Sequence, residues 1–234
     1  MRDLEPQLLV QHLGLVAYED ALEYQRQVAA RRISREIDED VLLLLEHPPV
    51  VTLGRSAKEK HLLASPDLLA ARGVELFEVE RGGDVTFHGP GQLVGYPIID
   101  LKRHRQDLHW YLRHVEESLI RTLATFGIAG ERSAGYTGVW VRSEGEPRKI
   151  ASIGVHARQW VTWHGFALNV TTNLSYFDLM VPCGIPGVDM TSISRERPDL
   201  GVEVPAAAAA VTTAFARHFA LRPVSVTLEA LTIG

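Results

Sequence analysis

A single cysteine stands in this chain of 234 residues, and its neighbours are of the types that fix backbone shape. The stretch Val181-Pro182-Cys183-Gly184-Ile185-Pro186-Gly187 sets two prolines and two glycines around the thiol. Pro182 and Pro186 fix φ and lack an N–H, so the segment joins neither a helix interior nor a central strand. Gly184 and Gly187 reach conformations closed to other residues. The expected result is a stiff loop presenting Cys183, with the Gly184 N–H free to face a substrate. That is a nucleophile beside an oxyanion site. The plainer reading is a small buried hydrophobe, the ordinary place of a free cysteine. A free thiol titrates at about 8.5, so a nucleophilic Cys183 needs a base or a nearby cation. Lys149, His88, His156 and His164 are the candidates. Lys149 opens the run Lys149-Ile150-Ala151-Ser152-Ile153-Gly154. In a regular strand it shares a face with Ala151, Ile153 and Val155. A lysine on an apolar face either pairs or gives up its proton, and both outcomes suit a thiolate partner. The alternative is a lysine at a hairpin end that reaches solvent.

A second stretch carries special residues at high density. Arg81-Gly82-Gly83-Asp84-Val85-Thr86-Phe87-His88-Gly89-Pro90-Gly91-Gln92 holds four glycines and a proline in twelve residues, between strand-like sequences. Glycines let a backbone approach a ligand and turn its N–H groups toward it, which predicts a ligand-facing loop. An ordinary glycine-rich turn is the alternative.

Hydrophobic periodicity places these stretches among alternating helices and strands. Residues 7–13 read as a strand, and 17–36 as a helix with Ala21, Leu22, Gln25, Val28 and Ala29 inward. Residues 41–45 form an unbroken apolar run, expected to be a central strand buried on both faces. Strands follow at 50–53, 74–80 and 93–99, with a short helix from Ser65 to about Arg72. Asp107 caps a long helix to about Phe126, with Trp110, Leu112, Val115, Leu119, Leu123 and Phe126 facing the core. Residues 138–142, 149–159 and 161–170 are strand candidates, with a hairpin turn over 143–148. An alanine-rich helix covers 205–220, and 224–228 is a last strand. The whole chain, residues 1–234, reads as one mixed α/β domain, with a small C-terminal lobe from about residue 190 as the variant.

Composition narrows the class. Hydrophobic residues make up 46% and charged residues 23%, with a formal net charge of −5. That balance argues against a general nucleic-acid binder. No apolar run is long enough to span a bilayer and no secretory signal core opens the chain, so a cytoplasmic protein is expected. One cysteine excludes an internal disulfide. Ten histidines are scattered without metal-ligand spacing, so no metal and no cofactor are expected. The segment Arg55-Ser56-Ala57-Lys58-Glu59-Lys60-His61 is locally basic and reads as a solvated loop.

Together, the Arg81–Gln92 stretch, the Lys149–Gly154 run and Pro182-Cys183-Gly184-Ile185, in this order and at these distances, resemble the bacterial lipoyl(octanoyl) transferases. His164-Gly165-Phe166-Ala167-Leu168-Asn169 fits the same resemblance, which covers almost the whole chain. It implies an α/β fold with a mixed sheet, like the catalytic domain of biotin and lipoate protein ligases. It implies transfer of octanoyl from octanoyl-acyl carrier protein to a lysine of lipoyl domains, in 2-oxoacid dehydrogenase complexes and the glycine cleavage H protein. Cys183 would carry the acyl thioester, and Lys149 would lower its pKa and shuttle protons. Arg81, Gly82, Gly83, Asp84, Val85, Thr86, Phe87 and His88 would line the acyl pocket with Ser152, Ile153, Gly154, Gly165, Phe166 and Ala167. A monomer is expected. Arg55, Lys58 and Lys60 are read as docking the acidic carrier. The competing activities are an ATP-dependent lipoate or biotin ligase on the same fold, a Cys–His hydrolase using His88 or His164, and a binding module without turnover.

Overall fold

The computed structural model describes residues 6–142, 145–227 and 231. Its spine is β2 (Asp40–Glu46), in which Val41, Leu42, Leu43 and Leu44 are at most 1% exposed. Side chains of a strand alternate between faces, so an unbroken apolar run requires cover on both. On one face Leu42 and Leu44 join a cluster with α3 (Leu108–Thr125) and α5 (Val204–His218). On the other, Val41, Leu43 and Leu45 pack with Ala21, Val28 and Ala29 of α1 (Tyr18–Ser34). At about 1.5–3 kcal/mol per buried Leu or Val, this strand alone contributes several kcal/mol.

Around β2 the sheet grows to nine strands among the described residues. β1 (Gln7–Leu15) runs parallel to β2, and β12 (Arg222–Ser225) runs parallel to β1 at the edge. On the other side come β6 (Gln92–Ile98), β10 (Val161–Asn169), β9 (Arg148–Arg158), β8 (Val139–Val141) and β7 (Gly130–Glu131), all antiparallel. β11 (Asp189–Met190) pairs in parallel with the start of β9, and a single helical turn, α4 (Ile193–Glu196), follows. A second, three-stranded sheet is made of β3 (Val50–Leu53) between β4 (Glu75–Glu78) and β5 (Val85–His88), beside α2 (Pro66–Ala71). The fold is therefore a mixed α/β sheet, as expected. Among the described residues no helix is long and apolar enough to cross a membrane.

Several elements start where local chemistry dictates. Asp107 accepts from the Trp110 N–H at 3.0 Å to cap α3, and Ser65 accepts from the Leu68 N–H at 3.2 Å to cap α2. Other expectations need correction. Leu112 is only half-buried, and the core face of α3 instead carries Tyr111, Val115, Leu119 and Leu123. β4 is shorter than residues 74–80 because it edges a small sheet and leaves Leu76 exposed. The last strand begins at Arg222, drawn into register by Gln7, and Leu228 lies outside the described residues, as do Ser143 and Glu144 of the expected hairpin turn. The largest correction concerns the glycine-rich stretch. Its middle, Val85–His88, is a strand, fully buried and paired antiparallel with β3.

Candidate active site

Cys183 sits in a single 3₁₀ turn, Pro182–Gly184, with φ +56° and ψ +18°. A left-handed conformation at a residue with a Cβ costs on the order of 1–3 kcal/mol and persists only where its surroundings fix it. Those surroundings are visible. Val181 N–H donates to the His61 carbonyl at 2.8 Å, and Ile185 N–H to the Pro182 carbonyl at 3.1 Å. His61 Nδ1–H donates to Asp84 Oδ2 at 2.8 Å, and Asp84 Oδ1 accepts from the Val85 N–H. A Cβ on Gly184 would stand 2.5 Å from Asp84 Oδ2, so glycine is needed for the close approach. The Gly184 N–H, expected to face a substrate, donates instead to the Val181 carbonyl at 2.9 Å. The tight turn that presents the thiol consumes it.

Lys149, at the start of β9, is 1% exposed. Its Nζ lies 3.1 Å from Cys183 Sγ, 3.2 Å from the Thr137 carbonyl and 4.7 Å from the Trp140 ring centre. The Ser152 hydroxyl stands 3.5 Å from the same sulfur. Lys149 and Ser152 differ in strand parity, so the lysine's long stem, not simple alternation, brings the two groups together. A cysteine sulfur at 3.1 Å is the group that can offer this buried amine a negative partner. Burial pushes the Cys183 thiol up, but Lys149, Ser152 and the more distant Arg81 charge outweigh it and hold the thiol below its ordinary value. Among the described residues the sulfur's hydrogen-bond partners are Lys149 and Ser152. His88, His156 and His164, the other sequence candidates for a base, make none to it.

The thiol opens onto a cavity of about 200 Å³ between β5 of the small sheet and β9 and β10 of the large one. Arg81, Gly83, Asp84, Thr86 and His88 line it from one side, and Ser152, Ile153, Gly154, Gly165, Phe166 and Ala167 from the other. Three residues of the expected lining do not take part. Val85 and Phe87 face the opposite side of β5, in the core of the small sheet with Val51, Leu69 and Phe177. Gly82 instead ties the two sheets, donating its N–H to the Val155 carbonyl at 2.9 Å. A Cβ on Gly154 would meet the Gly82 carbonyl oxygen at 2.7 Å, so the sheets touch backbone to backbone. Arg81 is 7% exposed and spends its guanidinium on the Thr52 carbonyl and hydroxyl and on the Gly82 and Asp84 carbonyls.

The far end of the cavity is a cluster of rings in which the sequence singled out His88 and His164 but not Tyr18, His47 or Tyr96. Tyr18 stacks on His88 with centres 6.1 Å apart, His47 lies 5.8 Å from His88, and Tyr96 lies 6.5 Å from His164. Burial pushes His47 down to about 4, only partly offset by its bond to the Val16 carbonyl. The ring is therefore neutral, donates from Nδ1 to Val16 and accepts the Tyr96 hydroxyl proton at Nε2, 2.7 Å away. Burial likewise pushes His88 well below its ordinary value. Its Nδ1–H donates to Gln92 Oε1 at 2.8 Å, an orientation set because the Gln92 amide donates to Phe87 and Asn169.

The Lipoyl protein ligase A/B catalytic domain family matches residues 17–220. The octanoyltransferase of Gloeobacter violaceus is 51% identical over 217 residues, 93% of this chain and 92% of that protein. The octanoyltransferase of Acidobacterium capsulatum is 56% identical over 194 residues, 79% of this chain and 78% of that protein. Among solved structures, the bi-partite lipoate protein ligase of Thermoplasma acidophilum superposes with a TM-score of 0.72 at 16% identity, covering 97% of this chain and 90% of the other.

Proposed function

This chain belongs to the lipoyl protein ligase A/B catalytic domain family and, within it, to the octanoyltransferases; from that premise we propose that it moves octanoyl from a carrier thioester to protein in two covalent steps on Cys183. The observation that carries the proposal is the 3.1 Å contact between a fully buried Lys149 Nζ and the only sulfur nucleophile in the chain. In the first step the Cys183 thiolate attacks the donor thioester. The new S–C bond forms, the donor C–S bond breaks, and the departing thiolate takes a proton from Lys149. In the second step the acceptor's lysine amine attacks the Cys183 thioester, Cys183 leaves as thiolate, and neutral Lys149 accepts the amine's proton. The ion pair is restored, and the balance is one amide formed and one thiol released. Exchange between thioesters is nearly isoenergetic, so the transfer requires no activated nucleotide.

The donor is octanoyl-acyl carrier protein, and the acceptors are lipoyl domains of 2-oxoacid dehydrogenase complexes and the glycine cleavage H protein. The exposed Arg55, Lys58 and Lys60 dock the acidic carrier. Support for that placement comes from the backbone: Gly54 and Ser56 N–H groups donate to the Asp84 and Gly83 carbonyls of the pocket wall. Residues 1–234 act as one catalytic domain, in keeping with a core in which Ile193, Ala207 and Phe215 pack with Leu8 and Leu42.

Intact-protein mass spectrometry tests the reading. Incubation with octanoyl-carrier protein, without ATP or acceptor, is expected to add one octanoyl group that hydroxylamine removes and that Cys183→Ser lacks. An adduct absent from the wild type, with activity arising only from free acid plus ATP, overturns the transferase reading in favour of the ligase.

A further inference from the structure

A pocket for a saturated chain would be expected to end on apolar side chains, and this one does not. Thr86 Oγ1 and His164 Nε2 are buried without a hydrogen-bond partner among the described residues, and both residues line the cavity. They are 6% and 1% exposed. Glu80 Oε1 faces His164 Nε2 at 3.8 Å, longer than a hydrogen bond though close enough for His164 to hold the Glu80 carboxyl below its ordinary range. His88 adds a third group. Its Nδ1–H is committed to Gln92, which leaves Nε2 as a bare acceptor with no partner among the described residues. An unpaired buried polar group costs on the order of 1–3 kcal/mol, and two of them around one cavity, with the His88 acceptor on the same lining, mark a surface built to meet a polar partner.

Their distance from the thiol follows from the strand register. Ser152, beside Cys183, pairs with Ala167, and three residues further along β9 Val155 pairs with His164. At about 3.3 Å per residue the His164 row stands roughly 10 Å from the Ser152 row. On β5, Asp84 packs against Gly184, and Thr86 lies two residues and His88 four residues beyond it. With C–C bonds of about 1.5 Å at near-tetrahedral angles, an extended eight-carbon acyl chain spans roughly 9 Å. At the same rise Thr86 lies roughly 7 Å and His88 roughly 13 Å along β5, so the last carbon of the chain, counted from a thioester on Cys183, falls between Thr86 and His88 and near the His164 row.

We propose that the acyl site ends on a polar floor of Thr86, His88 and His164, and that the protein therefore takes acyl chains bearing a hydroxyl on the eighth carbon as donors alongside octanoyl. The inference rests on the octanoyl-transfer reading. The hydroxyl stays intact throughout. It donates to His88 Nε2 and accepts from Thr86, while the thioester exchange at Cys183 proceeds as for octanoyl. The same floor stops longer chains, because a ninth and tenth carbon would have to cover polar groups that nothing else satisfies.

The test compares octanoyl- and 8-hydroxyoctanoyl-carrier protein as donors, reading the rate of Cys183 acylation by intact mass. A fully apolar pocket rejects an added hydroxyl by about a hundredfold in kcat/KM. Here the two donors are expected to agree within about tenfold. Thr86→Val, which removes one floor hydroxyl at constant shape, is expected to swing the ratio toward octanoyl by tenfold or more. Wild-type rejection of the hydroxylated donor near a hundredfold, or a ratio that Thr86→Val leaves unchanged, overturns the floor. Failure of octanoyl itself to acylate Cys183 instead overturns the transfer reading, so the two failures are distinct.

Discussion

Replacing Lys149 by methionine removes the cation and keeps most of the volume, which isolates its electrostatic part. At 3.1 Å and an effective dielectric of about 20, the attraction between the ammonium and the thiolate is about 5 kcal/mol as an upper limit. At 1.36 kcal/mol per unit that is about four pKa units. Ser152 and Arg81 remain, and Cys183 is only half-buried, so about two units upward is the expected shift. The wild-type thiol titrates below its ordinary value; the variant, left with burial as the dominant influence, titrates above it. Two units lower the thiolate fraction at neutral pH by at most about a hundredfold. A more basic thiolate is also a better nucleophile, with a Brønsted slope of about 0.45, so the net loss of rate is at most about tenfold. Because Cys183 is the only cysteine, alkylation by iodoacetamide across pH, followed by intact mass, reads this group alone. The two profiles should cross, with the variant slower at neutral pH and faster at high pH. A Lys149→Met midpoint within half a unit of the wild type would refute the ion-pair account. Lys149→Arg separates the second role. It keeps a cation but cannot accept a proton, so alkylation should stay near wild type while transfer from Cys183 to the acceptor amine falls about a hundredfold or more.

Three further outcomes are expected. His47 is held down to about 4 in the folded protein, so the unfolded chain binds the extra proton first. Stability is whole above about pH 6.5 and falls by about 3 kcal/mol as pH drops toward 4, and the part of that loss belonging to His47 disappears in His47→Asn, read from urea midpoints at each pH. Reversal of the charges of Arg55, Lys58 and Lys60 should raise KM for the octanoyl-carrier protein about tenfold or more at low salt and leave kcat for a small pantetheine thioester unaltered; equal KM values for carrier would remove this surface from docking. Gly154→Ala places a Cβ at 2.7 Å from the Gly82 carbonyl oxygen, so a lowered melting temperature together with slower octanoylation is expected, and a variant matching the wild type in both would show that the sheets are free to separate.

The parts of the site readable in the sequence were those written in residue types. A lone thiol among prolines and glycines predicts a special loop, and the structure bends it into a left-handed turn. The buried central strand was legible because five apolar residues in a row admit little else. What could not be read were meetings across the fold. Nothing in the spacing of Lys149 and Cys183 states that they touch, nor that Tyr18, His47 and Tyr96 gather around His88. One signal was present and overridden. Val85-Thr86-Phe87-His88 alternates apolar and polar as a half-lined strand should, but the glycines on either side weighted the reading toward a loop. That alternation is what sends Val85 and Phe87 into the small-sheet core and Thr86 and His88 to the cavity. The Gly184 N–H was misread for a different reason: a turn tight enough to present the thiol uses that donor to close itself.

The glycine contact between the two sheets has a consequence for what can be engineered or drift here. Where Gly82 and Gly154 meet, the gap is set by main chain against main chain, which no choice of side chain can widen and any side chain would pry open. The depth of the slot, by contrast, is set by replaceable side chains on β5 and β10. Depth and breadth are thus governed independently, like the travel and the throat of a caliper. Substitutions at the floor can retune how long a chain fits, while the spacing of the two sheets beside it stays fixed by the Gly82–Gly154 contact.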